Sequence, residues 1–350
     1  MTPGSQSAAL SPVTVFERRY ASQPRAMTAP MTVEGAAWDS WRARFCERLS
    51  ERLGVRPTHG SRPGFEVLDE TRLDDHRRLL LAVESEPGVV VPTWLLVPNG
   101  REAAGPAVIA VHGHGSGVNE IVGLRPDGSA RTDPAGYQRD FALALVRQGF
   151  VVAAPEMLGF GSRRDAADAA LGDDANSCRT IAMWSLMFGT TVIGQRVLDL
   201  VRTLDMLADR DDVDASAIGI FGISGGATAS LFASAVDDRF AAVALSGYVT
   251  SFRASVLSME HCICNVVPGL LADAEMVDIA LSLTPRPLLL EAGRSDPIFP
   301  IAAAEAAARR IREGYTALGA GDRFELDVFD GGHEVSGARA FDFLTRWLTR

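Results

Sequence analysis

Four cysteines in 350 residues, Cys46, Cys178, Cys262 and Cys264, are too few and too scattered for a disulfide framework. Cys262 and Cys264 stand one residue apart behind His261. The usual structural zinc pairs leave about two to four residues between cysteines and need a second pair. The thiols therefore read as buried or loop side chains, and no metal is expected. Excess positive charge is also missing: the formal net charge is -10 and the pI about 5.2, so nothing favours nucleic acid or an anionic membrane surface. No apolar run reaches the ~20 residues of a membrane span. The first thirty-odd residues carry Arg18, Arg19 and Arg25 but no continuous apolar segment of the kind a secretory signal needs. They lack firm periodicity, which predicts a flexible N-terminal arm over 1–34 and, with the rest, a cytoplasmic protein.

With 47% hydrophobic and 22% charged residues, the remainder can bury a sizeable core. Trp38, Trp41, Phe45 and Leu49 recur at three-four spacing and predict a helix from Ala36 to Leu53. Phe65–Leu68, Arg78–Val83 and Val89–Val97 read as opening antiparallel strands. Dense apolar runs at Pro106–Val111, Phe150–Ala154, Ala217–Phe221, Ala241–Leu245, Pro287–Glu291 and Phe324–Phe329 then alternate with helical patterns. Those helices are Arg139–Arg147, Thr191–Ala208, Gly226–Ala235, Ile301–Arg312 and Ala338–Leu348. Such alternation calls for an α/β domain over 35–350 with a mostly parallel central sheet flanked by helices. Two stretches exceed simple crossovers, and 157–190 and 248–283 are expected to be cap insertions over the carboxyl ends of the strands.

Gly222-Ile223-Ser224-Gly225-Gly226 closes one of these strands and opens a helix of small residues. A serine at so sharp a turn presents its Oγ to solvent, which is the nucleophile elbow of an α/β-hydrolase fold. A serine hydroxyl needs a base, and the base needs an acid to fix its tautomer. Asp296 follows the strand at Leu288-Leu289-Leu290-Glu291, and His333 follows Phe324–Phe329 within Gly331-Gly332-His333-Glu334. The order Ser224, Asp296, His333 is that of the hydrolase triad, with His333 expected to hydrogen-bond both partners. Glu156, at the end of an earlier strand, is a competing acid, a brace for the loop behind it, or a pocket residue. The oxyanion donors are expected to be the backbone N–H groups of Gly225 and His114, with Gly113 as the alternative to His114. His112 reads as a structural tie for the same loop.

His112-Gly113-His114-Gly115, the elbow at Ser224, Pro285-Arg286-Pro287-Leu288-Leu289, Asp296-Pro297 and Gly332-His333 together resemble the dienelactone hydrolase-like and acetyl xylan esterase-like branches of the α/β-hydrolase superfamily. The resemblance covers roughly residues 60 to 350. It implies that His114 takes the oxyanion-loop position held by tyrosine in many acetyl esterases. Ser224 stands where the namesake dienelactone hydrolases carry cysteine, which points to ordinary ester hydrolysis. The segment His261-Cys262-Ile263-Cys264-Asn265 with Val266-Val267-Pro268-Gly269-Leu270 looks like the cap of broad bacterial hydrolases.

The reading is a serine hydrolase of small or medium carboxylic esters that works through an acyl-serine, without metal or organic cofactor. A possible homo-oligomer is allowed. An amidase or peptidase would use the same triad, carbon–carbon hydrolysis of a diketone is more distant, and a catalytically silent binding protein on this fold is the non-enzyme alternative. Glu156, Arg179, Trp184, Met187, Phe188 and Leu270 are expected to line an enclosed pocket suited to short acyl groups.

Overall fold

The buried runs become the middle of a nine-stranded sheet because only strands covered on both faces can be apolar throughout. The computed structural model describes residues 11–31, 35–56, 63–101, 103–133 and 135–349. Its strands are β1 (Phe65–Arg72), β2 (His76–Glu86), β3 (Val89–Pro98), β4 (Gly105–Val111), β5 (Val151–Pro155), β6 (Val213–Ile223), β7 (Ala242–Ser246), β8 (Leu288–Gly293) and β9 (Phe324–Phe329). They lie in the order β1-β2-β3-β5-β4-β6-β7-β8-β9. The pairs β1–β2, β2–β3 and β3–β5 are antiparallel, and every pair from β5 to β9 is parallel. β1 forms the edge and is exposed almost throughout.

Alternation along β4 shows how the faces are filled. Ala107, Ile109 and Val111 enter one core, while Val108 and Ala110 enter the other. The first core is covered by the helices Ala36–Leu53, Val192–Ala208, Gly225–Val236 and Ile301–Ala317, the second by Phe141–Arg147 and Ala340–Leu348. The aromatic face foreseen on Ala36–Leu53 is buried, with Trp38 and Trp41 ring centroids 4.7 Å apart and Trp41 and Phe45 at 5.0 Å. The antiparallel strands run longer than their apolar residues suggested, since ladder bonds carry β1 and β2 through polar sequence.

Of the arm expected over 1–34, residues 1–10 and 32–34 lie outside the described residues. Val13–Ser22 is helical, and the amides of Ala26 and Met27 donate to the carbonyls of Ala272 and Asp273 at 2.9 and 2.8 Å. Tyr20 donates its hydroxyl to Glu275 at 2.6 Å. This stretch therefore lies against the 248–283 insertion. That insertion carries short helical turns and the helix Met276–Leu281, and the 157–190 insertion carries the helix Cys178–Met187.

Candidate active site

Parallel strands deliver their carboxyl ends to one edge of the sheet. His112, Glu156, Ser224, Gly247, Asp296 and His333 all follow such ends, on β4 to β9. Ser224 sits between β6 and the helix Gly225–Val236 with φ 55° and ψ -122°. A non-glycine residue at positive φ is strained, which marks a turn held by its surroundings. Small neighbours permit it. A Cβ on Gly222 would lie 2.5 Å from the Gly226 carbonyl, and one on Gly226 would run into the backbone oxygens of Val111 and His112. The Ser224 amide donates to the Ser246 carbonyl at 2.9 Å, pinning the elbow to the next strand end.

His333 Nδ1 and Asp296 Oδ2 are 2.8 Å apart. The other oxygen, Oδ1, accepts the amides of Ile298 and Phe299 at 2.8 and 2.9 Å. Burial pushes the Asp296 carboxyl toward a higher pKa, but the bond to His333, its charge and the two amides outweigh burial and hold the carboxyl below its ordinary value. The His333 ring is stacked between Tyr137 and Phe299, both at 5.6 Å between centroids. Gly247, at φ 56°, backs the pair, and a Cβ there would stand 3.0 Å from the His333 ring and 3.4 Å from Asp296. The hydrogen bonds of the described residues include the His333–Asp296 contact but none from Ser224 Oγ to His333, which departs from the expected three-membered chain.

Glu156 faces a different histidine. Its Oε1 is 3.0 Å from His112 Nε2 and accepts the Val118 amide at 3.0 Å. Gly117 and Gly161 leave room for this carboxylate, since a Cβ at either would collide with it. Of its three expected roles, the contacts are those of the loop brace. His112 Nδ1 is 2.7 Å from the Gly113 carbonyl, and Nε2 takes the Met157 amide at 3.0 Å. The tautomer with hydrogen on Nδ1 satisfies these two bonds, so Glu156 Oε1 meets Nε2 as a close contact only, and its hydrogen bond is the one from the Val118 amide. Because a trans peptide points its C=O and N–H in opposite directions, the bond to Gly113 O also aims the His114 N–H. Tyr137 donates its hydroxyl to the His114 carbonyl at 2.5 Å. Gly113 fails as the alternative donor, because its own amide is spent on Gln138 Oε1 at 2.7 Å. The Gly225 amide heads a helix, where the first N–H groups have no partner within the helix.

Several expected pocket residues are elsewhere. Trp184, Met187 and Phe188 are 67, 86 and 77% exposed, and Arg179 is exposed beside them, so they do not wall an enclosed chamber. The helix Cys178–Met187 is apolar on both sides, and its sequence alone does not tell a pocket wall from an outward face. Leu270 is buried, but it lines a narrow cleft with Phe45 and Leu49 under the helix Ala36–Leu53. A cavity of about 10 Å³ behind Asp296, bounded by Tyr248, Glu291 and Phe299, has room for little more than one water.

Glu291 is a site residue that sequence reasoning passed over. It ends the same strand that leads to Asp296, and its oxygens accept the amides of Gly337 at 2.8 Å and Ser336 at 3.2 Å. It thus clamps the loop just beyond His333. Burial, more than any other cause, lifts its carboxyl to about 7. The signal available in sequence was an acid ending an otherwise apolar strand.

The scattered cysteines also meet. His114, Cys178, Cys262 and Cys264 bring one ligand atom each to within 4.8 Å of one another, and Cys178 and Cys264 are buried, as expected of these thiols. Cys264 Sγ is 3.2 Å from His114 Nε2. Cys46 stays apart, bonded to the Ala235 carbonyl.

A serine elbow on a mixed nine-stranded sheet, with the His–Asp pair on the two strand ends beyond its neighbour, defines an α/β-hydrolase. Residues 23–313 match the model of the Abhydrolase family, and the chain belongs to that family. It is 26% identical over 270 residues to a Bacillus subtilis protein named "Putative hydrolase YtaP", spanning 73% of this chain and 83% of that one. Among solved structures it resembles a "putative acetyl xylan esterase" from Bacteroides fragilis with TM-score 0.76 at 16% identity, over 91% of this chain and 82% of the other. A glucuronoyl esterase from Solibacter usitatus superposes with TM-score 0.66 at 15% identity, over 93% and 99%. At these identities the solved structures speak for the fold. No helix among the described residues is long and apolar enough to cross a membrane.

Proposed function

We propose that this protein hydrolyses small or medium carboxylic esters through an acyl-serine intermediate. The observation that carries the reading is the 2.8 Å His333–Asp296 pair, set on the same sheet edge as a serine held at φ 55°. Ser224 Oγ attacks the ester carbonyl as His333 Nε2 takes its proton, and Asp296 holds the Nδ1 hydrogen and stabilises the imidazolium. The N–H groups of Gly225 and His114 receive the oxyanion. His333 then gives its proton to the departing alcohol. In the second half it takes a proton from water, the hydroxide displaces Ser224 Oγ from the acyl group, and the serine recovers its proton.

The Ser224–His333 bond forms as substrate enters, since catalytic hydrogen bonds in free enzymes are often longer than in the complex. The names of the structural relatives, an acetyl xylan esterase and a glucuronoyl esterase, favour esters over amides. With Trp184, Met187 and Phe188 facing outward, the short-acyl preference expected from an enclosed pocket loses that support. The test is labelling by a fluorophosphonate probe beside turnover of a small acetyl ester. Wild type should label at Ser224 and turn over; Ser224→Ala should stay folded, refuse the label and lose on the order of 10³-fold or more in kcat/KM. A folded wild type that neither labels nor turns over would make it a binding protein on a hydrolase fold.

A further inference from the structure

Three segments far apart in sequence converge on one point beside the elbow. His114 comes from the loop after β4, Cys178 opens the helix of the 157–190 insertion, and Cys262 and Cys264 lie in the 248–283 insertion. Their four ligand atoms lie within 4.8 Å of one another, and Cys178 and Cys264 are buried. A tetrahedral zinc ion with bonds of ~2.0 Å to nitrogen and ~2.3 Å to sulfur sets its ligands ~3.3–3.8 Å apart. The 3.2 Å between Cys264 Sγ and His114 Nε2 is already at that spacing. The other separations, none above 4.8 Å, need to close by about 1.5 Å at most.

The surroundings suit a site of net negative charge. Arg196, from the helix Val192–Ala208, is buried to 2% exposure. It donates to the Leu158 carbonyl, packs over the Phe160 ring and sets its NH2 3.4 Å from Cys178 Sγ. No carboxylate accompanies it in these contacts. A buried guanidinium needs an anion nearby, and three thiolates with one imidazole around a divalent ion leave one negative charge for it to meet. Asn265 Nδ2 approaches Cys264 Sγ at 3.5 Å, and Asn265 Oδ1 accepts the Thr228 hydroxyl at 2.8 Å. The same hydroxyl oxygen lies 3.3 Å from the Ser224 carbonyl.

We propose that His114, Cys178, Cys262 and Cys264 bind one zinc ion, which fastens both insertions to the loop that carries the His114 amide. Binding releases the three thiol protons, with the His114 imidazole ligating through Nε2 and keeping its hydrogen on Nδ1. All four positions are filled by protein, so the ion is a structural one and takes no part in bond breaking. On this proposal the chain holds a metal where its sequence led to none being expected, and turnover becomes sensitive to chelators. Once the ion is removed, the His114 loop and both insertions lose their common anchor.

The test uses the full-length protein, purified under reductant, stripped with a chelator and titrated with Zn2+ or Co2+. One ion should bind per chain, and the cobalt form should show the strong visible absorption of a tetrahedral thiolate site. Cys46 alone should react with a thiol reagent in the zinc form, and all four cysteines after stripping. Zinc should raise the melting temperature by several degrees. Cys262→Ser and His114→Gln should each weaken binding at least tenfold, while Cys46→Ser leaves it unchanged. If a variant does not fold, the cobalt spectrum and thiol count of wild type still decide. The proposal is overturned if stripped, reduced and folded protein takes up no stoichiometric ion, if binding ignores both substitutions, or if mass analysis finds a disulfide among the three cysteines. Only loss of turnover on stripping rests on the esterase reading. Stoichiometric zinc in a protein without esterase activity would defeat that reading and leave the metal site standing.

Discussion

Tyr137 stacks on His333 at an interplanar angle of 20° while its hydroxyl holds the His114 carbonyl at 2.5 Å. One side chain therefore touches both the proposed base and the loop of the proposed oxyanion donor. Gly113 makes this possible, because a Cβ there would stand 2.1 Å from the Tyr137 oxygen. Tyr137→Phe keeps the stacking and loses the hydroxyl bond. It should lower kcat on a small acetyl ester about 10-fold with little change in KM, the scale of one hydrogen bond of ~1.4 kcal/mol. Steady-state kinetics on the folded variant check it, and an unchanged kcat would remove Tyr137 from the site.

The two acids separate by what they touch. Asp296→Asn breaks the pairing with His333 and should cost several powers of ten in turnover, about 10⁴-fold by the precedent of serine hydrolase triads. Glu156→Gln acts on the loop around Val118 and Gly161 and should show chiefly as lost thermal stability. Circular dichroism melts beside initial rates distinguish the two. Selective loss of turnover in Glu156→Gln, with Asp296→Asn near wild type, would mean that the acid is misassigned.

Glu291 makes stability depend on pH in a defined direction. Its folded carboxyl titrates near 7 and its unfolded one near 4.5, so between these values the folded state holds a proton that the unfolded chain has lost. Its contribution is complete below about 4.5 and falls as pH rises through 7, by on the order of 3 kcal/mol. Urea unfolding at pH 5 and pH 8 should show this fall in wild type and a flatter profile in Glu291→Gln. Equal slopes in the two proteins would place the titration elsewhere.

Sequence was most informative where one periodicity had one structural meaning. The helix Ala36–Leu53, the strand Phe324–Phe329 and the apolar parallel strands follow from spacing and burial alone. The elbow at Ser224 and the pairing of His333 with Asp296 were legible because strand order constrains where each can lie. The Glu291 clamp was not, because its value depends on which amides the chain returns to it 45 and 46 residues later. The cluster of His114, Cys178, Cys262 and Cys264 was hidden for a related reason. Its members come from the loop after β4 and from two insertions, a convergence that is a tertiary fact, and a Cys-x-Cys pair without a partner pair carries no local signature. Trp184, Met187 and Phe188 misled in the opposite way, since apolar residues are ordinarily covered and these face outward.

That outward helix gives the protein an optical handle. Of its five tryptophans, Trp38, Trp41 and Trp94 are buried and Trp347 is half-buried, whereas Trp184 stands 67% exposed and stacks on Phe188. A collisional quencher dissolved in water will reach this indole far sooner than the others. The quenchable part of the emission thus reports on one turn of the 157–190 insertion, on the same helix as Cys178, without any label being attached.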